Sequence, residues 1–323
     1  MTAPSDLRRI GRSELVTPPL ILGGNVFGWT ADRNASFAVL DAFVAGGGKV
    51  IDTADVYSAW VDGHKGGESE TVIGEWLRQR GKRDDVIITT KVGMLPIDGV
   101  QGLDPAHIAR AVEGSLKRLG TDYIDLYLAH RDDADTDQND VAEAFDRLVK
   151  DGKVRTIGAS NFDAGRLASA VEGQEGEGQA RYQALQNQYN LLERHEYEGA
   201  VQDYCVAHDI GMTPYYGLAS GYLTGKYRKP EDAKGARAGA VGKYLDGDGP
   251  RVLAALDAVA AAHQASLAQV ALAWIAAQPG IAAPIASATS VKQVEDLLGA
   301  IHLQLTSEDL SRLDKASKAG VTA

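Results

Sequence analysis

The chain is nearly without cysteine. Cys205 stands alone among 323 residues, which excludes an intramolecular disulfide and a cysteine-based metal cluster. No motif surrounds it, so it reads as a buried bystander thiol. Positive charge is also short: 33 Lys and Arg face 44 Asp and Glu, for a net charge of -11. That balance argues against broad attraction to nucleic acid or anionic membranes. No apolar run reaches the about 18 residues that a membrane span needs, and Met1 to Asp6 lack an apolar signal core. A soluble cytoplasmic protein, with neither nucleic acid nor membrane as partner, is the expectation. The seven histidines form neither His-x-His nor His-Glu-x-x-His, so no metal site is expected. A Gly-x-Ser-x-Gly elbow and a phosphate-loop Gly-Lys-Ser/Thr are missing too.

What the chain does have is alternation. Strand-like apolar runs at 19–23, 49–53, 86–91, 123–129, 154–159, 183–187, 210–215 and 281–285 are separated by helical patterns. Those patterns fall near 35–46, 68–80, 105–118, 137–151, 163–171, 196–208, 251–263, 267–277 and 290–299. Asp104-Pro105 is an N-cap followed by proline at the first helical position, Gly120 a stop, and Thr306-Ser307-Glu308-Asp309 the opening of a closing helix. Eight buried strands with helices between them predict a (β/α)8 barrel, taken as one domain over 1–323. A doubly wound sheet is the alternative, but Leu22-Gly23-Gly24-Asn25-Val26-Phe27-Gly28 does not follow its Gly-x-Gly-x-x-Gly turn. Residues 8–16 read as an N-terminal hairpin plugging the barrel floor, 172–178 as a solvated turn, and 226–250 as one long loop. Nothing in the pattern sets an oligomeric state.

Four titratable residues sit where strand-like runs end: Asp52 and Tyr57 in Asp52-Thr53-Ala54-Asp55-Val56-Tyr57, then Lys91, then His130. Singly, each has a bland role as cap, core-edge ring, solvated charge or loop hydrogen-bonder. Strand ends of a barrel meet at one face, however, and there the four converge. Lys91 beside Tyr57 is expected to lower the phenol's pKa, and Asp52 to keep Lys91 charged and oriented. Tyr57 is then a general acid able to give a proton to a carbonyl oxygen as hydride reaches the carbon, with His130 hydrogen-bonding the same oxygen.

In order and context, Asp52, Tyr57, Lys91 and His130 resemble the tetrad of the aldo-keto reductase superfamily, in the branch of bacterial reductases and potassium-channel β-subunits. The resemblance runs through nearly the whole chain. Gly158-Ala159-Ser160-Asn161-Phe162 is similar to the segment whose Ser and Asn hold the nicotinamide carboxamide, and Gln186 matches the carboxamide-binding glutamine. Tyr215 through Tyr227 resembles the loop after the seventh barrel strand. Tyr215 is there implied to stack under nicotinamide, while Leu218 and Lys226 flank the pyrophosphate. Gly24, Asn25, Tyr216, Gly217 and Ser220 complete the cofactor set implied by these stretches, together with Ser287, Thr289, Gln293 and Asp296 at the adenosine end. Ser160-Asn161 could instead cap the helix beginning near Asp163.

At the phosphate loop the resemblance thins. Ser287 stands at the usual Lys position, Gln293 at the usual Arg position and Leu297 at a frequent Asn. Lys292 is the nearest cation, about 100° around the helix from Gln293. NADP(H) is favoured over NAD(H), because hydroxyls and one lysine still bind phosphate, though less tightly than an Arg fork. Phe27, Trp29 and Trp60 on the first two strand-end loops are expected to wall a pocket. His64 and Arg131 add polarity, and Asp132-Asp133 would disfavour strongly anionic substrates. The resemblance implies reduction of an aldehyde or ketone, and these pocket residues point to a neutral, hydroxylated or sugar-derived carbonyl. Two alternatives stay open: a nucleotide-sensing regulatory subunit, and a barrel lyase or isomerase using Lys91 as a Schiff base.

Overall fold

The computed structural model describes residues 7–232 and 238–318. Strands β1 (Arg8–Arg9) and β2 (Val16–Thr17) pair as an antiparallel hairpin. The remaining strands are β3 (Ile21–Gly23), β4 (Val50–Asp52), β5 (Ile87–Val92), β6 (Ile124–Ala129), β7 (Val154–Ser160), β8 (Tyr182–Gln186), β9 (Gly211–Met212) and β10 (Ile285–Ala286). They run parallel in the order β10-β3-β4-β5-β6-β7-β8-β9. The ring closes between β9 and the residues leading into β10. Met212 N donates to Gly280 O at 2.9 Å, Ala282 N to Met212 O at 2.8 Å and Ile285 N to Pro214 O at 2.9 Å. The fold is the expected (β/α)8 barrel.

Burial on both faces explains the unbroken apolar strands. Leu126 and Leu128 of β6 enter an interior cluster with Val50, Ile21 and Ala184, whereas Tyr127 and Ala129 join the outer layer against the helices. Ile10 and Leu15 of the hairpin belong to that interior cluster, so the hairpin does close the floor. Gly11 is required there: its φ is +59°, and a Cβ would lie 2.2 Å from Gln183 O. Also on the lower side, Asp125 pairs with Arg83 at 2.6 Å and Arg155 at 3.1 Å, and both guanidinium groups lie over the Tyr123 ring.

The helices are α1 (Arg33–Ala45), α2 (Glu68–Arg80), α3 (Pro105–Leu119), α4 (Gln138–Lys150), α5 (Ala164–Gly176), α6 (Ala200–Ala207), α7 (Ala238–Val241), α8 (Gly249–His263), α9 (Leu267–Ala276), α10 (Val291–Leu298) and α11 (Ser307–Lys318). Side-chain caps, each worth about 1 kcal/mol, start α1, α3, α4, α5, α9, α10 and α11, whereas α2 and α6 begin at glycines and no side chain caps α8. Asp104 Oδ1 accepts from Ala106 N and His107 N at α3, and Thr306 and Asp309 cap α11 reciprocally. Two segments depart from expectation. Most of the 172–178 run is helical, because Leu167, Ala170, Val171 and Gln174 share a buried face that carries α5 on to Gly176. The 226–250 stretch is not one open loop: Pro230–Asp232, α7 and Gly242–Tyr244 are short helical pieces, and Val241 and Tyr244 anchor them in the core. Residues 233–237 of that stretch lie outside the described residues. Among the described residues no single helix is long and apolar enough to cross a membrane; α8 and α9 pass only as a pair, bent by 97°.

Candidate active site

Asp52 ends β4, Lys91 lies one residue before the end of β5, and His130 follows β6, so three neighbouring strands deliver them to one face. Lys91 is fully buried and its ammonium has three acceptors for three protons: Asp52 Oδ1 at 2.7 Å, Thr53 O at 2.6 Å and Tyr57 Oη at 3.1 Å. Burial alone would strip that proton, but Asp52 prevails and the Lys91 pKa lies above its ordinary value. An ammonium whose three protons are all engaged offers no lone pair for a Schiff base. The geometry therefore speaks against the lyase alternative.

The Tyr57 phenol departs from expectation. Burial pushes its pKa upward, Lys91 pulls it down, and Asp52 adds to the upward push, so the net direction is up. The cation alone would lower that pKa, but the enclosure that brings Lys91 close also desolvates the phenol. Tyr57 is accordingly a protonated phenol whose oxygen accepts from Lys91, leaving its own O–H for another acceptor. His130 sits edge-on to it, with ring centroids 6.1 Å apart. Burial, then Lys91 and Arg131, hold His130 well below the ordinary histidine range, so it is a neutral imidazole.

The uncharged set forms a second arc across the mouth. Ser160 Oγ donates to Gln186 O at 2.6 Å, Asn161 Nδ2 to His130 O at 2.9 Å and Tyr215 Oη to Asn161 Oδ1 at 2.7 Å. Asn161 has φ +57°, and the α5 cap is Asp163, which accepts from Arg166 N. The capping role weighed for Ser160-Asn161 is therefore filled by another residue. Gln186 Nε2 donates to Asp52 Oδ2 at 2.9 Å and ties this arc to the charged group. Tyr216, Ala219 and Ser220 all have positive φ, and Asn190 Nδ2 holds the turn through Tyr216 O at 2.9 Å. Gly217 packs on Leu272 and Ile275, Leu218 is half-buried, and Lys226 is exposed over the Tyr227 ring. On the far side Gly24 N donates to Asp52 O at 2.7 Å, and Ser287 Oγ to Asn25 Oδ1 at 2.7 Å. Gln293 Oε1 accepts from Thr289 N at 2.8 Å, while Asp296 is engaged by Gln269 of α9.

Trp60 is half exposed and meets Trp29 at 5.6 Å and Tyr57 at 5.9 Å between ring centroids, an aromatic rim beside the phenol. Phe27 is placed differently from expectation. It is fully buried within the outer core, because the turn after β3 folds back through the Phe27–Ala31 bridge. Asp132 and Asp133 are also committed elsewhere. Asp132 holds Arg166 through two contacts of 2.7 and 2.8 Å, and Asp133 accepts from Leu103 N, Asp135 N and Thr136 Oγ1. Arg166 thereby compensates the charge of Asp132, while Asp133 is held as a carboxylate by neutral donors.

A supporting layer went unnoticed in the sequence. Thr53 Oγ1 donates to Ser69 Oγ, which donates to Gly24 O. Behind the Tyr57 loop, Glu70 accepts from Thr90 Oγ1 and Arg118 Nε at 2.6 Å each, with Asp55 nearby and no partner for either carboxyl oxygen. Burial and then Glu70 push the Asp55 pKa far up. Ser69 and Glu70 follow the double glycine Gly66-Gly67, the one local signal that could have pointed to them.

The sequence model of the aldo/keto reductase family matches residues 19–318. The chain belongs to the aldo/keto reductase family. It is 34% identical over 317 residues to the uncharacterized oxidoreductase YrpG of Bacillus subtilis (strain 168), covering 94% of both chains. It is 33% identical to aldo-keto reductase str7 of Strobilurus tenacellus, over 90% of this chain and 84% of the relative. A probable voltage-gated potassium channel subunit beta of Oryza sativa subsp. japonica is 31% identical, with 95% of each covered. Membership of the aldo/keto reductases, a family of nicotinamide-dependent enzymes, supports oxidoreductase chemistry on carbonyl groups in general.

Proposed function

We propose that this aldo/keto reductase catalyses the reversible reduction of an aldehyde or ketone to an alcohol, with NADP(H) favoured over NAD(H). The observation that carries the reading is the Lys91 ammonium, saturated by Asp52, Thr53 and Tyr57, so that the Tyr57 oxygen accepts from Lys91 and keeps its own O–H for another acceptor. Tyr57 gives that proton to the carbonyl oxygen. Neutral His130 donates a hydrogen bond to the same oxygen and orients it. Lys91 steadies the phenolate left after transfer, and Asp52 fixes the ammonium.

The residues present suit a nicotinamide nucleotide. Ser160, Asn161 and Gln186 offer uncharged donors and acceptors for a carboxamide, and Tyr215 an aromatic face held in place by Asn161. When bound, the cofactor supplies hydride. Tyr216, Gly217, Leu218, Ser220 and Lys226 follow the pyrophosphate, while Gly24, Asn25, Ser287, Thr289, Gln293 and Asp296 attend the adenosine end. Hydroxyls at Ser287 and Thr289, with the exposed Lys292, support the 2′-phosphate form. Trp29 and Trp60 wall the substrate pocket.

The printed name of the rice relative favours a second reading, a nucleotide-sensing subunit with little turnover. Fluorescence titration with NADPH and NADH, then a carbonyl panel on the tighter ligand, separates the two. Turnover of any panel carbonyl, abolished in Tyr57→Phe, is expected. Tight NADPH binding with no oxidation across the panel would favour the sensor.

A further inference from the structure

Asp52 Oδ1 faces Lys91, and its other oxygen faces across the barrel. Asp52 ends β4 and Gln186 ends β8, four strands further round the eight-stranded ring. Asp52 is only 3% exposed and Gln186 2%, so neither side chain has bulk water as a ready partner. The Gln186 backbone is pinned as well, since its carbonyl accepts from Ser160 Oγ at 2.6 Å and Asn161 N at 3.2 Å. Its amide therefore has a fixed base from which to hold Oδ2 at 2.9 Å.

We infer that Gln186, besides facing the nicotinamide pocket, is a positioning residue for proton delivery, its Nε2–H spreading and anchoring the Asp52 charge that sets Lys91 and Tyr57. This rests on the proposed role of Tyr57 as proton donor. A hydrogen bond to a buried carboxylate withdraws charge from it. Without that bond Asp52 presents more charge to Tyr57, which Asp52 already makes a weaker acid. The phenol then holds its proton more tightly, and the carboxylate is free to turn on its Cβ. Both effects slow proton transfer without touching the phenol.

The test uses Gln186→Met, which keeps side-chain length and removes the donor. Two readouts are taken: kcat at saturating NADPH with a panel carbonyl, and titration of the phenol in cofactor-free protein carrying carbon-13 at tyrosine Cζ, its signal assigned with Tyr57→Phe. Expected are a kcat lower by roughly tenfold and a phenol that titrates at higher pH than in the unsubstituted chain. Gln186→Glu, which keeps the shape and sets a charge against Asp52, moves the titration further the same way and serves if the methionine variant does not fold. A merely cofactor-binding role predicts weaker NADPH binding with kcat and titration unchanged, and that result overturns the inference. Full turnover in Tyr57→Phe would instead overturn the proton-donor reading beneath it.

Discussion

Replacing Lys91 by methionine removes one charge of a fully buried pair and keeps the volume. Asp52 then stays 3% exposed with Gln186 Nε2 as its remaining side-chain donor among the described residues, and Thr53 O loses a 2.6 Å contact. Breaking a buried pair from one side typically costs about 3–5 kcal/mol, because the surviving charge is left uncompensated. Lys91→Met is therefore expected to lower the unfolding free energy by that amount in urea denaturation followed by circular dichroism. The catalytic loss has a different origin, the loss of support for the phenolate. It is expected at about 100- to 10,000-fold in kcat, the usual range for positioned proton transfer. The two effects come apart in Lys91→Met/Asp52→Asn. Neutralising the stranded carboxylate restores most of the stability and none of the turnover. A Lys91→Met protein within about 1 kcal/mol of the parent, or a double variant that regains turnover, would refute the reasoning.

Asp55→Asn tests the unpartnered carboxyl behind the Tyr57 loop. Its folded-state pKa is raised, so the stability of the neutral form is complete below the ordinary carboxyl range and is lost as pH rises towards the folded value. Within that window the parent loses about 1.4 kcal/mol per pH unit relative to Asn. The variant should be more stable at pH 7 and equal near pH 4, and equal destabilisation at both would contradict this. Trp60→Ala removes a half-exposed ring whose aromatic contacts are Trp29 and Tyr57. It should raise KM for a bulky aryl carbonyl by roughly tenfold or more and leave NADPH affinity unchanged; a loss of NADPH binding would move Trp60 out of the substrate wall.

The barrel was legible because parallel strands buried on both faces are written as unbroken apolar runs, such as Ile124 to Ala129. Caps such as Asp104 were legible because their hydrogen bonds are local. Asp52, Tyr57, Lys91 and His130 were legible as strand-end residues, and the structure brings Asp52, Lys91 and Tyr57 into hydrogen-bond contact. What escaped depends on three-dimensional burial. The direction of the Tyr57 shift is set by enclosure that no local pattern encodes. Phe27 was assigned to the pocket by loop position, but the turn folds it inward. Asp132 read as a mouth charge because Arg166, its partner, is 34 residues away in sequence. Gln186 reaches Asp52 across 134 residues, a distance at which only the closed barrel makes them neighbours.

The most direct test of the account is Tyr57→Phe. The substitution removes one oxygen and leaves Asp52, Lys91 and Gln186 with their mutual bonds. NADPH affinity by fluorescence is expected to match the parent, while kcat for the best panel carbonyl falls by about 100-fold or more. Turnover preserved in Tyr57→Phe, with cofactor bound as tightly as before, would contradict the central claim that this phenol delivers the proton.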